Sequence, residues 1–414
     1  YVQDQAELGG VPDDVLQAAH DQAKADQKQG WKLTLHMPSY LPVMQYATSA
    51  QLREQLYRAY STRASDLAQA PADANRRVAM NNSPLIDQLL KLRAEEAALL
   101  GYRNYAEVSL VPKMAQSPAQ VIEFLRDLAS RARPFALRDL QQLEDFAAKE
   151  LNMPQLQAWD IPFASERLKQ ARYAFSDQEV KQYFQLPRVL DGLFRLVERL
   201  FELRIRDDVT QTWHPDVRFY RIERGSELIG QFYLDLFARP GKRPGAWMDD
   251  ARGRSRKPLG LQTPVAYLTC NFQPPVGARP ATLTHDDVIT LFHEFGHGLH
   301  HMLTRIDDLQ VSGISGVEWD AIELPSQFME NFCWEWDNVE AMSAHVETGA
   351  SLPRALFDKM IAARNFQSGM QTLRQIEFSL FDMKLHSEYG TDEHSSVQQL
   401  LDQVLADVAV LIPP

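Results

Sequence analysis

No stretch constrains this chain more than THDDVITLFHEFGHGLHHML, residues 284–303. Val288, Ile289, Leu291, Phe292, Phe295 and Leu299 recur at helical spacing, so a helix here buries most of its surface. Thr284 can cap it, with Asp287 three residues on in a capping-box arrangement and two aspartates in the positive first turn. Yet four of the eleven histidines fall between 293 and 301, with Glu294 among them. A carboxylate and imidazoles on a buried helix need partners, because an unpaired buried charge is expensive. His293 and His297 stand four apart and leave one face of the helix. With Glu294 between them they form H-E-x-x-H, in which two imidazoles hold a metal and the carboxylate serves as base. Five residues of pattern arise often by chance, and helical histidines are commonly ordinary; the buried setting favours the metal reading. Gly296 and Gly298, each costing ~1 kcal/mol against alanine in a helix, point to close approach by another element.

Such a site needs a third protein ligand. A metzincin would place a histidine ten residues after His293, where this chain has Leu303, so that class is excluded. His300 lies seven residues from His293, about 10 Å along the axis, too far for three in-line ligands to surround one ion. His300 and His301 are therefore expected to be supporting, packing or surface residues. The segment VEWDAIELPSQFMENFCWEW, 317–336, offers Glu318, Asp320, Glu323, Glu330 and Glu335. Pro325 favours a helix start, which places Glu323 at its mouth and Glu330 seven residues on. Position favours Glu323; spacing alone leaves Asp320 and Glu330 open.

Helical spacing also marks 49–65, 83–101, 117–150 (opening on Ser117-Pro118), a stretch from Trp159, and 185–203. Near 209 the character changes. VRFYRIER, ELIGQFYLDLF and PVAYLTCNF read as strands of a small sheet, and 239–260, dense in glycine, proline and basic residues, reads as a loop. The class is mainly α with one small sheet next to the H-E-x-x-H helix. A length of 414 residues suggests two lobes, divided as 1–208, helical, and 209–414, carrying the sheet, the histidine helix and the glutamate helix. A net charge of −12 argues against nucleic acid or an anionic membrane as partner. Two cysteines, Cys270 and Cys333, build no disulfide framework and suit a reducing cytoplasm, and no apolar run reaches the ~20 residues of a membrane span. A monomer is expected.

HEFGHGLHHML followed by WDAIELPSQFMENFCWE resembles the thimet-oligopeptidase family of zinc endopeptidases, and PVAYLTCNF and YLDLFARPGKRPGAW are similar to the same family. The resemblance implies a two-lobed, helical, zincin-type metallopeptidase with a deep channel that admits short unstructured peptides. It implies one Zn2+ per chain, bound by His293, His297 and Glu323, and a zinc-activated water with Glu294 as general base. In related zinc peptidases the substrate lies against an edge strand near the metal. PVAYLTCNF, through Ala266, Tyr267, Leu268 and Thr269, is either that strand or a plain core strand. Glu330 either orients a ligand histidine or makes a structural salt bridge. Alternatives to an endopeptidase are a peptidyl-dipeptidase of the same family and a peptide-binding scaffold without catalysis. The family carries a later histidine and a glycine- and tyrosine-rich segment that stabilise the oxyanion, a contribution of ~2.7–4 kcal/mol for such a donor. The only tyrosine here after His301 is Tyr389, in HSEYGTDEH, and the chain stops at Pro414. The expectation is a middle portion of a longer peptidase, which binds zinc and hydrolyses peptides weakly or not at all.

Overall fold

The computed structural model describes residues 1–68, 74–277, 279–389 and 396–411. Residues 390–394 of HSEYGTDEH and the terminal Ile412, Pro413 and Pro414 lie outside the described residues. The chain forms two compact units that interleave in sequence: one holds Tyr1–Gln3, Pro12–Pro42 and Tyr173–Ala363, the other Asp4–Val11, Val43–Arg172 and Arg364 onward. The change of composition near 209 falls inside the first unit.

The second unit is helical. Pro118–Glu150 begins where the sequence predicts, with Ser117 Oγ accepting the Gln120 backbone N–H and proline in the first turn. Small residues on it, Ala129 and Ala136, admit the helix Ser368–Ser387, whose Met370, Leu373, Ile376 and Leu380 form a core with Val404 and Val408.

In the first unit, helix α1 (Leu186–Phe201) precedes strands β1 (Arg204–Asp207), β2 (Arg218–Arg224), β3 (Glu227–Phe237), β4 (Trp247–Arg252), β5 (Ser255–Lys257), β6 (Gly260–Gln262) and β7 (Val265–Phe272). Helices α2 (His285–Met302) and α3 (Leu324–Glu330) follow. The main sheet has order β1-β2-β3-β7-β4, with β7 parallel to β3 and antiparallel to β4; β5 and β6 make a separate hairpin. Strand alternation sends Ile222, Phe232, Leu234, Ala266 and Leu268 into one core with Leu190, Leu193 and Val197 of α1 and Phe292, Phe295 and Leu299 of α2. Phe232 meets Phe295 edge-on at 5.3 Å. That packing seats the histidine helix on the sheet, and it is why α1 belongs with the strands that follow it.

One expectation needs correction, and one open choice is decided. The span 239–260 is not all loop, since β4 and β5 lie in it. And β7 is not an edge: Ala266, Tyr267, Leu268 and Thr269 face Phe232, Tyr233, Leu234 and Asp235 on one side and Asp250, Asp249, Met248 and Trp247 on the other. Their main chain is committed to the sheet, and the open edge on that side belongs to β4.

A buried carboxylate secures the approach to β4. Asp235 accepts two bonds from Arg239 (2.7 and 2.8 Å), one from Lys242 (2.8 Å) and one from the Trp213 indole (3.0 Å). Lys242 also donates to the carbonyls of Asp235, Phe237 and Cys270. Burial alone would raise the Asp235 carboxyl; the hydrogen bonds from Arg239, Lys242 and Trp213 outweigh it and hold the group at about 2.

Candidate metal centre

α2 opens on a full capping box. Thr284 Oγ1 accepts the Asp287 N–H at 3.1 Å, and the Asp287 carboxylate accepts the Thr284 N–H at 2.8 Å. Three turns on, the rings of His293 and His297 lie 4.9 Å apart, nearly perpendicular. Glu323, at the N-cap position of α3, brings Oε2 to 3.1 Å from Nε2 of both histidines.

Two glycines let the surroundings close in. A Cβ at position 296 would stand 2.6 Å from the Pro325 carbonyl oxygen and 2.6 Å from Ser326 Cα. At 298 it would meet the Leu268 side chain at 2.9 Å. The first contact sets the spacing between the helix that carries the histidines and the turn that carries Glu323.

The donor set suits a cation. His293 Nδ1 donates to Glu330 Oε1 at 2.7 Å, and its Nε2 faces Glu323. Burial, ahead of opposing and reinforcing neighbours, lowers the basicity of His297 and favours its neutral form. Ligand atoms of His293, His297 and Glu323 gather within 4.8 Å of one another. A cation could take the place of the protons in these contacts, and His-His-carboxylate is a known catalytic metal set. Glu323 is 49% exposed against 13% for His297, so the cluster is open on the glutamate side.

Glu294 is 5% exposed, and its Oε2 has no hydrogen-bond partner among the described residues. Burial raises its carboxyl to about 7, with His293 opposing the rise and the Glu323 charge adding to it. The remaining acids and histidines have other places. Glu318, Asp320 and Glu335 are exposed and none joins the cluster. Glu330 bonds His293 from behind. His301 is fully buried and donates from Nε2 to the Arg252 carbonyl at 3.0 Å, tying α2 to the end of β4. His300 is part-buried, and burial lowers its basicity. Reasoning from sequence overlooked Ser326, whose hydroxyl lies 2.8 Å from Glu323 Oε2; a hydroxyl three residues after a candidate ligand was the available signal.

The fold is mainly α with a small mixed sheet, and H-E-x-x-H lies on a helix packed against that sheet, the arrangement of a peptidase class. Residues 43–411 match the model of peptidase family M3, and the chain belongs to that family. It is 52% identical over 417 residues to oligopeptidase A of Salmonella typhimurium, a match covering all of this chain and 60% of that protein. To oligopeptidase A of Haemophilus influenzae it is 48% identical over 413 residues, 99% of this chain and 60% of the relative. A more distant relative is the dipeptidyl carboxypeptidase of Escherichia coli, 31% identical over 408 residues, 97% of this chain and 57% of that one. The chain thus spans about 60% of the length of the curated oligopeptidase A relatives it matches. The resemblance carried by HEFGHGLHHML and WDAIELPSQFMENFCWE is borne out, as is the mainly α class. Among the described residues no helix is long and apolar enough to cross a membrane.

Proposed function

We propose that this chain carries the zinc centre of a cytoplasmic oligopeptidase that hydrolyses internal bonds of short, unstructured peptides. The observation that supports it most is the gathering of His293 Nε2, His297 Nε2 and Glu323 Oε2 beside the buried Glu294 carboxyl, which lacks a partner at Oε2. His293, His297 and Glu323 would hold one Zn2+, which when bound supplies a Lewis acid that polarises a peptide carbonyl and acidifies water. Glu294 takes the proton of the attacking water at its free carboxylate oxygen and passes it to the departing amine. Glu330 keeps the Nδ1–H of His293 engaged, so Nε2 stays turned to the site. The open edge of β4 offers main-chain donors and acceptors to an extended peptide, the part that Ala266, Tyr267, Leu268 and Thr269 cannot play from inside the sheet.

Metal analysis of the folded chain is expected to give one zinc per molecule. Glu294→Gln should keep the metal and slow cleavage of a quenched-fluorescent peptide by roughly 100-fold or more. A folded chain that takes up no zinc, or a Glu294→Gln variant as active as its parent, refutes the reading; the second result would leave a peptide-binding scaffold. The dipeptidyl carboxypeptidase relative supports a second reading, removal of C-terminal dipeptides. Cleavage of a C-terminally amidated peptide in the same assay favours the endopeptidase; cleavage only of the free acid favours the dipeptidase.

A further inference from the structure

Ser326 lies in the first turn of α3 with no exposed surface. Its hydroxyl stands 2.8 Å from two acceptors on the same residue, the main-chain carbonyl of Glu323 and the carboxylate oxygen Oε2. Oε2 is also the atom 3.1 Å from both histidine Nε2 atoms. Apart from the histidine pair, no other group among the described residues bonds this carboxylate. Glu323 needs such a restraint. It stands at a helix mouth, about half exposed, on a side chain with three free torsions, among the residue types that lose most rotamer freedom when fixed.

We propose that Ser326 is a positioning residue, whose hydroxyl donates to Glu323 Oε2 and holds the carboxylate turned toward His293 and His297. The inference rests on the reading of those three residues as metal ligands. The competing use of the hydroxyl is local: a serine bonding the carbonyl three residues back steadies a turn and does nothing for a ligand. The local bond changes folding, whereas the positioning bond changes metal affinity through one carboxylate.

The test is a double-mutant cycle on the 414-residue chain with Ser326→Ala, Glu323→Ala and both together. Zn2+ affinity is read by competition with a chromophoric chelator, the visible bands of the Co2+-loaded protein report the ligand field, and heat unfolding of the metal-free protein reports folding. Ser326→Ala is expected to weaken Zn2+ binding by roughly 10–100-fold, as for other groups that orient a ligand, and to alter the Co2+ bands. In the Glu323→Ala background the same change should cost less than about threefold, because the hydroxyl then has no carboxylate to hold. Unaltered Zn2+ affinity in Ser326→Ala, with or without a lowered unfolding temperature, overturns the proposal. So does a penalty of the same size when Glu323 is already gone. Failure of the unsubstituted chain to bind Zn2+ would instead overturn the metal-centre reading beneath it.

Discussion

Replacing Gly296 by alanine touches no candidate ligand and adds one methyl group, yet it should impair the metal centre. That methyl would sit 2.6 Å from the Pro325 carbonyl oxygen and from Ser326 Cα, and 3.0 Å from the Pro325 carbonyl carbon. Ordinary carbon contacts begin near ~3.5 Å, so α2 and the start of α3 must part by roughly 0.8 Å. All the obstructing atoms are backbone, and no side chain can rotate away to absorb the strain. Glu323 lies just before this contact and moves with it, whereas metal-ligand distances tolerate only about 0.2 Å. Zn2+ affinity is therefore expected to fall by roughly 10–100-fold. The gain of ~1 kcal/mol in helix propensity competes with an overpacking cost of ~1–3 kcal/mol, so the metal-free protein should be unchanged or slightly less stable. Isothermal titration with Zn2+ in the presence of a competing chelator, beside a thermal melt of the metal-free protein, measures both. Gly298→Ala is the control: its methyl meets the end of the flexible Leu268 side chain, which can turn aside, and affinity should stay within about threefold. A Gly296→Ala protein that is more stable than its parent and binds Zn2+ as tightly would refute the reasoning.

Two further outcomes follow from the geometry. Glu330→Ala removes the acceptor of the His293 Nδ1 proton and should weaken Zn2+ by roughly 10–100-fold with Glu294 and the three candidate ligands intact; unchanged affinity would make the contact a structural salt bridge only. Asp235, held at about 2 against an ordinary 3.8, contributes roughly 2.4 kcal/mol to folding at neutral pH. Its folded value is the lower one, so that stability is present above pH ~4 and disappears as the pH falls toward ~2. In acid denaturation followed by circular dichroism, Asp235→Asn should therefore be destabilised at pH 7 and lose less on going from pH 4 to 2 than its parent. Parallel curves would count against the assignment.

How much could be read beforehand depended on whether the information was local. The apolar stripe of Leu186, Val189, Leu190 and Leu193 repeats at 3.6 residues and sits on α1, and the capping box at Thr284 is written in four consecutive residues. Pro325 fixes where a helix can begin and so points to Glu323 as the candidate third ligand, and the structure brings its carboxylate to the histidine pair. β4 was invisible for the opposite reason. WMDDAR has no alternation and low strand propensity, and it becomes a strand only because β7 offers it a partner. The interior place of β7 did leave a trace: VAYLTCNF is apolar on both faces, as strands covered on both sides are, and an edge strand would alternate more sharply. Ser326 is not legible in the sequence because its meaning lies in a tertiary contact, a hydroxyl facing a carboxylate that itself faces another helix.

The sheet order also says something about time. β4 is made before β7, yet β7 is its sole neighbour in the main sheet. The β1–β2–β3 meander can assemble from sequence neighbours as the chain emerges, but β4 must wait, unpaired, until β7 arrives and lies parallel along β3. Closing that parallel pairing spans the whole 238–264 excursion, the slow kind of step in sheet formation. The edge beside the histidine helix is thus completed only when synthesis has passed residue 272, just before His285–Met302 emerges to pack on the finished sheet.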